Sequence, residues 1–356
     1  MIEVSREILD RFLLDSPVKS CERYGEGHVN ETYLVVSESS RRYILQKLST
    51  RAFHDVPALM QNIISVTEFL RRNNPDPRSV LTLVPTTDNN FFICHSDGSY
   101  WRIYDFVENS LCMQAPESPE DFYQSALAFG SFQQQLKDFP AETLSETIPL
   151  FHNTPNRYRL FRESLEADVM GRAAEAQAEI AFALSHEKEA SVLVDQQAAG
   201  LLPTRVTHND TKLNNVMLDA EKRTALCVID LDTIMPGLSL YDFGDSIRFG
   251  AATAPEDEQD LSKVEMSLEL FETYARGFLT ACPGLTAQEK KMLPMGAKMM
   301  TLECGVRFLT DYLDGDKYFK TRYSEHNLHR CRTQFKLVAD MEKKWSEMER
   351  IIEKLS

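Results

Sequence analysis

The sequence predicts an α+β protein of two lobes: a small lobe built on an antiparallel β-sheet and a larger, mostly helical lobe. Three observations predict this fold class. Short β-rich runs and one helical segment fill residues 1–106, and helical periodicity dominates residues 107–356. Within that second part, a polar turn and a β-hairpin pattern interrupt the helices at residues 205–232. We therefore predict two domains, divided after residue 106.

Composition narrows the functional class. The chain has 356 residues, a length that suits two domains or one large bilobal one. Its 54 acidic and 39 basic residues give a net charge of −15, which argues against a nucleic-acid partner. No apolar run approaches the roughly 18 residues of a membrane span, so we expect no membrane partner. Seven scattered cysteines without a C-x-x-C motif are typical of free thiols, and we expect a cytoplasmic protein.

The first lobe begins with a strand, a glycine turn and a second strand over residues 24–36. Gly25 and Gly27 would let the backbone approach a phosphate closely, although a tight hairpin turn explains them equally well. Residues 42–48 form the next predicted strand. Side chains alternate along a strand, so Gln46 and Lys47 must lie on opposite faces. The sequence does not decide which of the two faces a ligand.

A helix over residues 56–73 and two further strands, near residues 91–94 and 100–107, complete this lobe. The second lobe opens on a helix start at Ser118-Pro119-Glu120-Asp121, where a capping serine precedes proline and two acids. Another capping box lies at residues 286–289. Both patterns predict helix N-termini at these positions.

The polar turn that contains Asp210 carries the chemistry. Two apolar runs, residues 216–218 and 225–229, flank a charged turn and predict a β-hairpin. An antiparallel return would bring Asp230, at the end of that hairpin, beside Asp210 and Asn215. Two carboxylates and an amide then converge, which suits a hydroxyl-activating base next to a Mg²⁺ site, because Mg²⁺ prefers oxygen ligands.

A literal D-F-G begins at Asp242, 32 residues after Asp210, whereas Asp230 lies 20 residues after it. The shorter interval resembles the one between the catalytic Asp and the metal-binding Asp of the protein kinases, so Asp230 is the predicted ligand and Asp242 is expected to cap the next helix. Asp232 lies on the same side of an extended chain as Asp230 and is a candidate for a second acid in the site.

The spacing of His208, Asp210 and Asn215, followed by a strand that ends in Asp230, resembles the catalytic and metal loops of the protein-kinase-like phosphotransferases. Over residues 24–319 the chain is similar to the aminoglycoside phosphotransferase/choline kinase family. Two stretches after Asp230, D-F-G-D-S-I-R-F-G-A and E-C-G-V-R-F-L-T-D-Y-L-D-G-D-K-Y-F, are narrower signals that resemble the N-acetylhexosamine kinases of that family.

The resemblance implies a bilobal protein-kinase-like fold that binds ATP and Mg²⁺ in its cleft. Residues 1–106 would be the nucleotide-binding lobe, and residues 107–356 would carry the catalytic and metal loops and the acceptor site. Asp210 would be the base, and Asn215 and Asp230 would hold Mg²⁺. The γ-phosphoryl group would pass to the anomeric hydroxyl of GlcNAc or GalNAc, yielding the sugar 1-phosphate and ADP.

The same resemblance suggests further site residues. The candidates for nucleotide binding are Gly25, Gly27, Asn30, Thr32, Gln46, Phe106 and Glu108. The candidates for binding the sugar are Arg307, Asp311, Tyr312 and Asp316. Their mixture of donors and acceptors suits sugar hydroxyls, although Arg307 and Asp311, four apart on a helix, could also be an ordinary surface ion pair.

Two alternatives stay open at this point. One is a kinase of the same family with another hydroxylated acceptor: choline, an aminoglycoside or another hexose. The other is a nucleotide-binding pseudokinase, suggested by Gln46 at the strand position where kinases have a lysine. The presence of the base and both metal ligands argues against the pseudokinase.

Overall fold

The computed structural model describes residues 3–25 and 29–356. The chain forms two compact units, each discontinuous in sequence. The first comprises Asp138–Pro149, Met217–Met235 and the described part of Met1–Leu111. The second comprises Cys112–Lys137, Leu150–Val216 and Pro236–Ser356. The predicted boundary after residue 106 is a single division, whereas packing assigns two later segments, one of them carrying Asp230, to the first unit.

Eleven α-helices and ten strands make up the described chain. The helices are α1 (Arg6–Leu9), α2 (Val56–Arg71), α3 (Pro119–Gln135), α4 (Thr154–Ala167), α5 (Gln177–His186), α6 (Val192–Ala198), α7 (Ser239–Gly250), α8 (Leu268–Ala281), α9 (Ala287–Asp314), α10 (His326–Lys343) and α11 (Trp345–Leu355). The strands are β1 (Val18–Arg23), β2 (Glu31–Ser37), β3 (Arg42–Leu48), β4 (Ile93–Cys94), β5 (Tyr100–Asp105), β6 (Ser110–Cys112), β7 (Arg205–Thr207), β8 (Val216–Asp219), β9 (Ala225–Val228) and β10 (Met235–Gly237).

The first unit contains the predicted antiparallel sheet, with five strands in the order β1-β2-β3-β5-β4. Strands β3 and β5 pair so that Leu45 lies opposite Ile103 and Gln46 lies opposite Arg102. Leu45 and Ile103 are fully buried in the hydrophobic core on one face of the sheet. Because side chains alternate, Gln46 and Arg102 share the other face. This register determines which polar groups meet in the first unit.

The second unit is helical and is organised around α9, which packs against α4, α7 and α10. Both predicted capping boxes are present: Ser118 with Asp121 at the start of α3, and Thr286 with Glu289 at the start of α9. Helix α9 ends at Asp314 and is capped by Gly315, whose φ of +93° lies in the left-handed region that favours glycine. The α+β fold class and the mostly helical second part are as predicted.

Helices α7 and α9 cross at two glycines. A Cβ atom at Gly244 would lie 2.3 Å from the carbonyl oxygen of Gly296, so only glycine fits there. Gly244 is the glycine of the literal D-F-G sequence. Its role is therefore close helix packing, which places α7 firmly on α9.

Among residues 3–25 and 29–356, no helix is both long and apolar enough to cross a membrane.

Candidate active site

The predicted catalytic loop, residues 208–215, leaves β7 in the second unit. Asn209 has a φ of +66°, in the left-handed region that asparagine tolerates better than most residues. The loop closes in a short 3₁₀ turn that ends at Asn215. There the Asn215 side-chain Nδ2 donates to the Asp210 carbonyl oxygen at 2.8 Å and to Asp210 Oδ2 at 3.0 Å. This use of the amide nitrogen leaves Asn215 Oδ1 as the acceptor atom of the side chain.

Asp242 holds this loop from α7. Its carboxylate accepts the backbone N–H of His208 at 3.0 Å and that of Asn209 at 2.8 Å, together with the Gln133 side chain. Burial raises the pKa of Asp242, and the neighbouring His208 and the N–H donors partly oppose that effect. The prediction that Asp242 caps a helix is wrong, because α7 begins at Ser239 and its N-cap is Leu238.

A second carboxylate of α7 holds the middle of the loop. Asp245 Oδ2 accepts the backbone N–H of Thr211 at 3.0 Å, and its Oδ1 accepts two hydrogen bonds from the Arg248 guanidinium at 3.0 and 2.8 Å. The Thr211 hydroxyl donates to the Asp242 carbonyl oxygen at 2.6 Å. Consecutive turns of one helix therefore determine the path of the backbone on both sides of Asp210.

Lys212, which is not among the predicted site residues, lies beside Asp210. Its Nζ forms an ion pair with Asp210 Oδ1 at 2.6 Å. Burial by itself would lower the pKa of Lys212, but attraction by Asp210 and Asp245 and the hydrogen bond to Asp210 raise it. The available signal was the spacing D-T-K, since the backbone at Lys212 is extended and residues two apart along an extended chain share a face.

In the first unit, Asp230 and Asp232 lie in very different surroundings. Asp230 is exposed, has a φ of +57° and precedes the 3₁₀ turn Leu231–Thr233. Asp232 is buried, accepts a hydrogen bond from Asn30 Nδ2 at 2.5 Å and forms an ion pair with Arg102 at 2.6 Å. Asp232 is therefore already neutralised by the protein, which argues against its proposed use as a second acid.

Gln46 belongs to the same polar group as Asp232. Gln46 Oε1 accepts two hydrogen bonds from Arg102, at 3.0 and 2.8 Å, and its Nε2 donates to Thr32 Oγ1 at 3.2 Å. Lys47 is on the opposite face, with its Nζ 5.7 Å from the centroid of the Trp101 ring. Gln46, not Lys47, therefore lies on the side of Asp232, and the place of Gln46 in nucleotide binding stays a prediction.

The remaining candidates for nucleotide binding lie elsewhere in the first unit. Gly25 has a φ of +70°, and none of the described residues lies within 4 Å of the position its Cβ would occupy. Gly27 lies outside the described residues. The Phe106 ring packs edge-to-face on Tyr24, and the Arg42 guanidinium lies 4.1 Å from its centroid. Arg42 also donates to the Glu108 carboxylate through Nε at 3.0 Å. Their roles in nucleotide binding stay predictions.

Arg307 lines a pocket of about 160 Å³ in the second unit. Its guanidinium lies between 5.1 and 5.7 Å from the ring centroids of Phe151, Phe319 and Tyr318. No carboxylate within the described residues forms an ion pair with Arg307, so the surface-pair alternative does not hold. Arg157 lines the same pocket, and burial together with the nearby Arg307 charge lowers the pKa of Arg157 to about 10.

Asp311 also lines this pocket, but its oxygens are already engaged. They accept the backbone N–H groups of residues 317, 318 and 319 at 2.8–2.9 Å, and the Asn327 side chain at 2.9 Å. Asp311 thereby holds the chain that presents Tyr318 and Phe319 to Arg307. Its contacts are those of a residue that shapes the pocket.

Tyr312 and Asp316 make contacts away from the pocket lining. The Tyr312 hydroxyl donates to Glu175 at 3.0 Å, and Asp316 forms an ion pair with Arg172 at 2.7 Å. Of the four predicted acceptor residues, the structure therefore brings Arg307 and Asp311 to one pocket and places the other two in a neighbouring ion-pair network.

A comparison with known families settles the broad class. The family model described as "Phosphotransferase enzyme family" matches residues 20–277, which is most of the chain.

The chain belongs to this phosphotransferase family.

Solved structures agree on the protein-kinase-like fold that the phosphotransferase family shares. A microcompartment-associated aminopropanol kinase is 18% identical, with a TM-score of 0.67 and 97% of each chain covered. An aminoglycoside phosphotransferase from Alicyclobacillus acidocaldarius is 12% identical, with a TM-score of 0.65 over 100% of this chain and 98% of that one. The amicoumacin kinase hAmiN is 13% identical, with a TM-score of 0.60 over 98% and 92%. At these identities the likeness shows the fold alone.

The loop-holding role of Asp242 can be separated from helix capping by two alanine variants. Asp55 is a true N-cap, whose side chain accepts the Ala58 N–H at 2.9 Å. We expect Asp55→Ala to lower the free energy of unfolding by about 0.5–2 kcal/mol. Asp242→Ala orphans two buried N–H groups at about 1–3 kcal/mol each, so we expect roughly 2–6 kcal/mol. Denaturant melts of both variants measure the difference, and equal losses would contradict the role given to Asp242.

Proposed function

We propose that this phosphotransferase is an ATP- and Mg²⁺-dependent N-acetylhexosamine 1-kinase, which phosphorylates the anomeric hydroxyl of GlcNAc or GalNAc. The observation that carries the proposal is the pocket of Arg307 and Arg157, with two guanidinium groups and flanking aromatic rings. A neutral N-acetyl sugar offers hydroxyl and amide-carbonyl acceptors to N–H donors and an apolar ring face to aromatic side chains.

The pocket offers no excess of negative charge to a cationic acceptor, because the guanidinium groups of Arg157 and Arg307 balance the two carboxylates that line it, Asp311 and Asp314. Choline and the aminoglycosides carry positive charge, so they need carboxylates or an aromatic cage, and like charges in one pocket repel. Asp311 is bonded to four donors, which leaves its oxygens little capacity for a ligand amine. The relatives named for aminopropanol and aminoglycosides share the fold at 12–18% identity, a level that does not carry acceptor choice.

The catalytic roles follow from the chemistry of the side chains present. Asp210 accepts or orients the proton of the sugar hydroxyl, as its place in the motif indicates. Asn215 offers its Oδ1 and the exposed Asp230 offers a carboxylate, the oxygen ligands that Mg²⁺ prefers. The amicoumacin kinase structure is a complex with AMP-PNP and Ca²⁺, which supports nucleotide and divalent metal here. Bound Mg²⁺ would neutralise negative charge on the phosphate groups.

Lys212 adds a positive charge next to the base. Its ammonium is 2.6 Å from Asp210 Oδ1 and compensates the charge of that carboxylate. We propose that Lys212 orients Asp210 and favours the approach of an anionic phosphate group. Rate enhancement in phosphoryl transfer comes mostly from positioning and charge neutralisation, which is the chemistry that this loop offers.

The role of Asp210 is tested by Asp210→Asn. We expect kcat to fall by about 10²–10⁴, the usual cost of losing a general base, while nucleotide affinity stays nearly unchanged. Asp260→Asn, at an exposed acid that caps the 3₁₀ turn Leu261–Lys263, is the control and should keep wild-type turnover. Steady-state assays with N-acetylhexosamine, alongside nucleotide titrations, measure both quantities. Near-normal turnover by purified Asp210→Asn would refute the assignment.

The acceptor is tested by Arg307→Ala. Only the acceptor loses a hydrogen-bonding partner, so KM for N-acetylhexosamine should rise by about tenfold or more, while KM for ATP stays unchanged. Arg159→Ala is the matched control, because Arg159 lies on α4 two residues from Arg157 but is exposed and paired with Glu163. Kinetics on a panel of GlcNAc, GalNAc, glucose, choline and an aminoglycoside complete the test. Preference for choline or the aminoglycoside would overturn the proposed substrate, and no turnover of any acceptor would favour a pseudokinase.

A further inference from the structure

The first unit buries the whole guanidinium group of Arg102 beside the turn that follows Asp230. Arg102, on β5, is 1% exposed. Its donors are used by Gln46 Oε1 and by the ion pair with Asp232, and the Met60 sulfur lies 3.7 Å from its Nη1. Burying a charge of this kind is costly unless it is paired and hydrogen-bonded. The cluster of Arg102, Gln46 and Asp232 provides both the ion pair and the hydrogen bonds.

The partners of Arg102 tie the Asp230 turn to the sheet from several sides. Asp232 lies in the 3₁₀ turn Leu231–Thr233 that follows Asp230 directly. Its second oxygen accepts from Asn30 Nδ2, and Asn30 Oδ1 accepts the Ser49 N–H at 3.0 Å. Asn62 of α2 donates to the Ile234 carbonyl oxygen at 3.0 Å, just beyond the turn. The left-handed backbone of Asp230 is thus held by contacts that converge on its C-terminal side.

We propose that Arg102 is a positioning residue for the nucleotide-binding metal site: through Asp232 it fixes the exposed carboxylate of Asp230, and it supplies the buried positive charge that the strand β3 lacks at Gln46. Arg102 acts through Asp232, because at 1% exposure its guanidinium is closed off from a ligand. This inference rests on the proposed function insofar as Asp230 binds the metal of a metal–nucleotide complex.

The charges of Arg102 and Asp232 predict that loss of Arg102 weakens metal binding. Without Arg102, Asp232 is left buried with one neutral partner, Asn30, and only two residues from Asp230. An unpaired buried carboxylate is strongly unfavourable, so the turn must move until Asp232 reaches solvent or another donor. That movement shifts Asp230. Losing a partner that orients a metal ligand typically weakens metal binding by about 10- to 100-fold.

The register of the sheet provides a charge-relocation test. Gln46 and Arg102 are direct partners across β3 and β5 and lie on the same face. In the double variant Gln46→Lys/Arg102→Met, a lysine from β3 can reach Asp232 in place of the arginine from β5. A positive charge restored in this way should recover metal-dependent binding. A role of Arg102 in packing alone would not be rescued by a lysine at another position.

The experiment is calorimetric titration of ADP, with Mg²⁺ and with EDTA, in the absence of any sugar. We expect Arg102→Met to weaken Mg·ADP binding by about 10- to 100-fold while binding in EDTA changes little, and Gln46→Lys/Arg102→Met to recover most of the loss. Arg78→Met is the matched control, because Arg78 pairs with Asp219 of β8, at the far end of the same hairpin. It should bind as the wild type does.

Three results would decide against the inference. Arg102→Met that binds Mg·ADP as tightly as the wild type overturns it, as does a double variant that melts like the wild type but regains no binding. If Arg102→Met does not fold, Arg102→Met/Asp232→Asn removes both charges together, and wild-type Mg·ADP affinity in that variant overturns it as well. A wild-type protein that binds no Mg·ADP would instead refute the proposed function, and the inference would fall with it.

Discussion

The hydrogen bonds from the backbone of the catalytic loop to Asp242 are the interaction on which the rest of the site depends. The two N–H groups of His208 and Asn209 lie in the interior, where an unpaired donor is costly, and one buried carboxylate satisfies both. Asp245 repeats the arrangement one turn later for Thr211. The loop can then keep the left-handed backbone at Asn209 and turn Asp210 outward beside Lys212. Helix α7 reaches this loop because Gly244 and Gly296 let it pack closely on α9.

Four aspartates have four different roles in this protein. The burial of each carboxylate and the donors around it decide which role it has. Asp242 is buried among N–H groups and holds a loop. Asp232 is buried beside a guanidinium and holds a turn. Asp311 accepts a row of backbone N–H groups and shapes a pocket. Asp210, in contrast, is only half-buried, with a lysine and an amide beside it, a setting that suits the catalytic role proposed for it.

The distribution of positive charge separates this chain from a kinase that has a lysine on β3. The register of β3 and β5 places an arginine opposite Gln46, so the cation comes from the neighbouring strand. In the second unit, Arg157 and Arg307 meet in one pocket with Asp311, Asp314 and two aromatic rings, and the proposal of a neutral, oxygen-rich acceptor rests on this lining. The acidic overall composition did not indicate these arginines, because each is a single buried residue whose effect is local.

By itself the sequence determined the fold class, the helix starts and the order of the site motifs, because these depend on local periodicity, capping and spacing. Periodicity could not assign the Asp230 hairpin to the first unit, since that depends on packing between segments far apart in the chain. Tertiary structure also decided what single residues do. The position of Asp242 near a helix start predicted a cap, whereas its hydrogen-bond partners lie 33 and 34 residues earlier in the chain. Nothing in the sequence around Arg102 indicates its role, which depends on the strand register that places it beside Gln46 and Asp232. Contacts between distant residues are what spacing along one chain cannot specify.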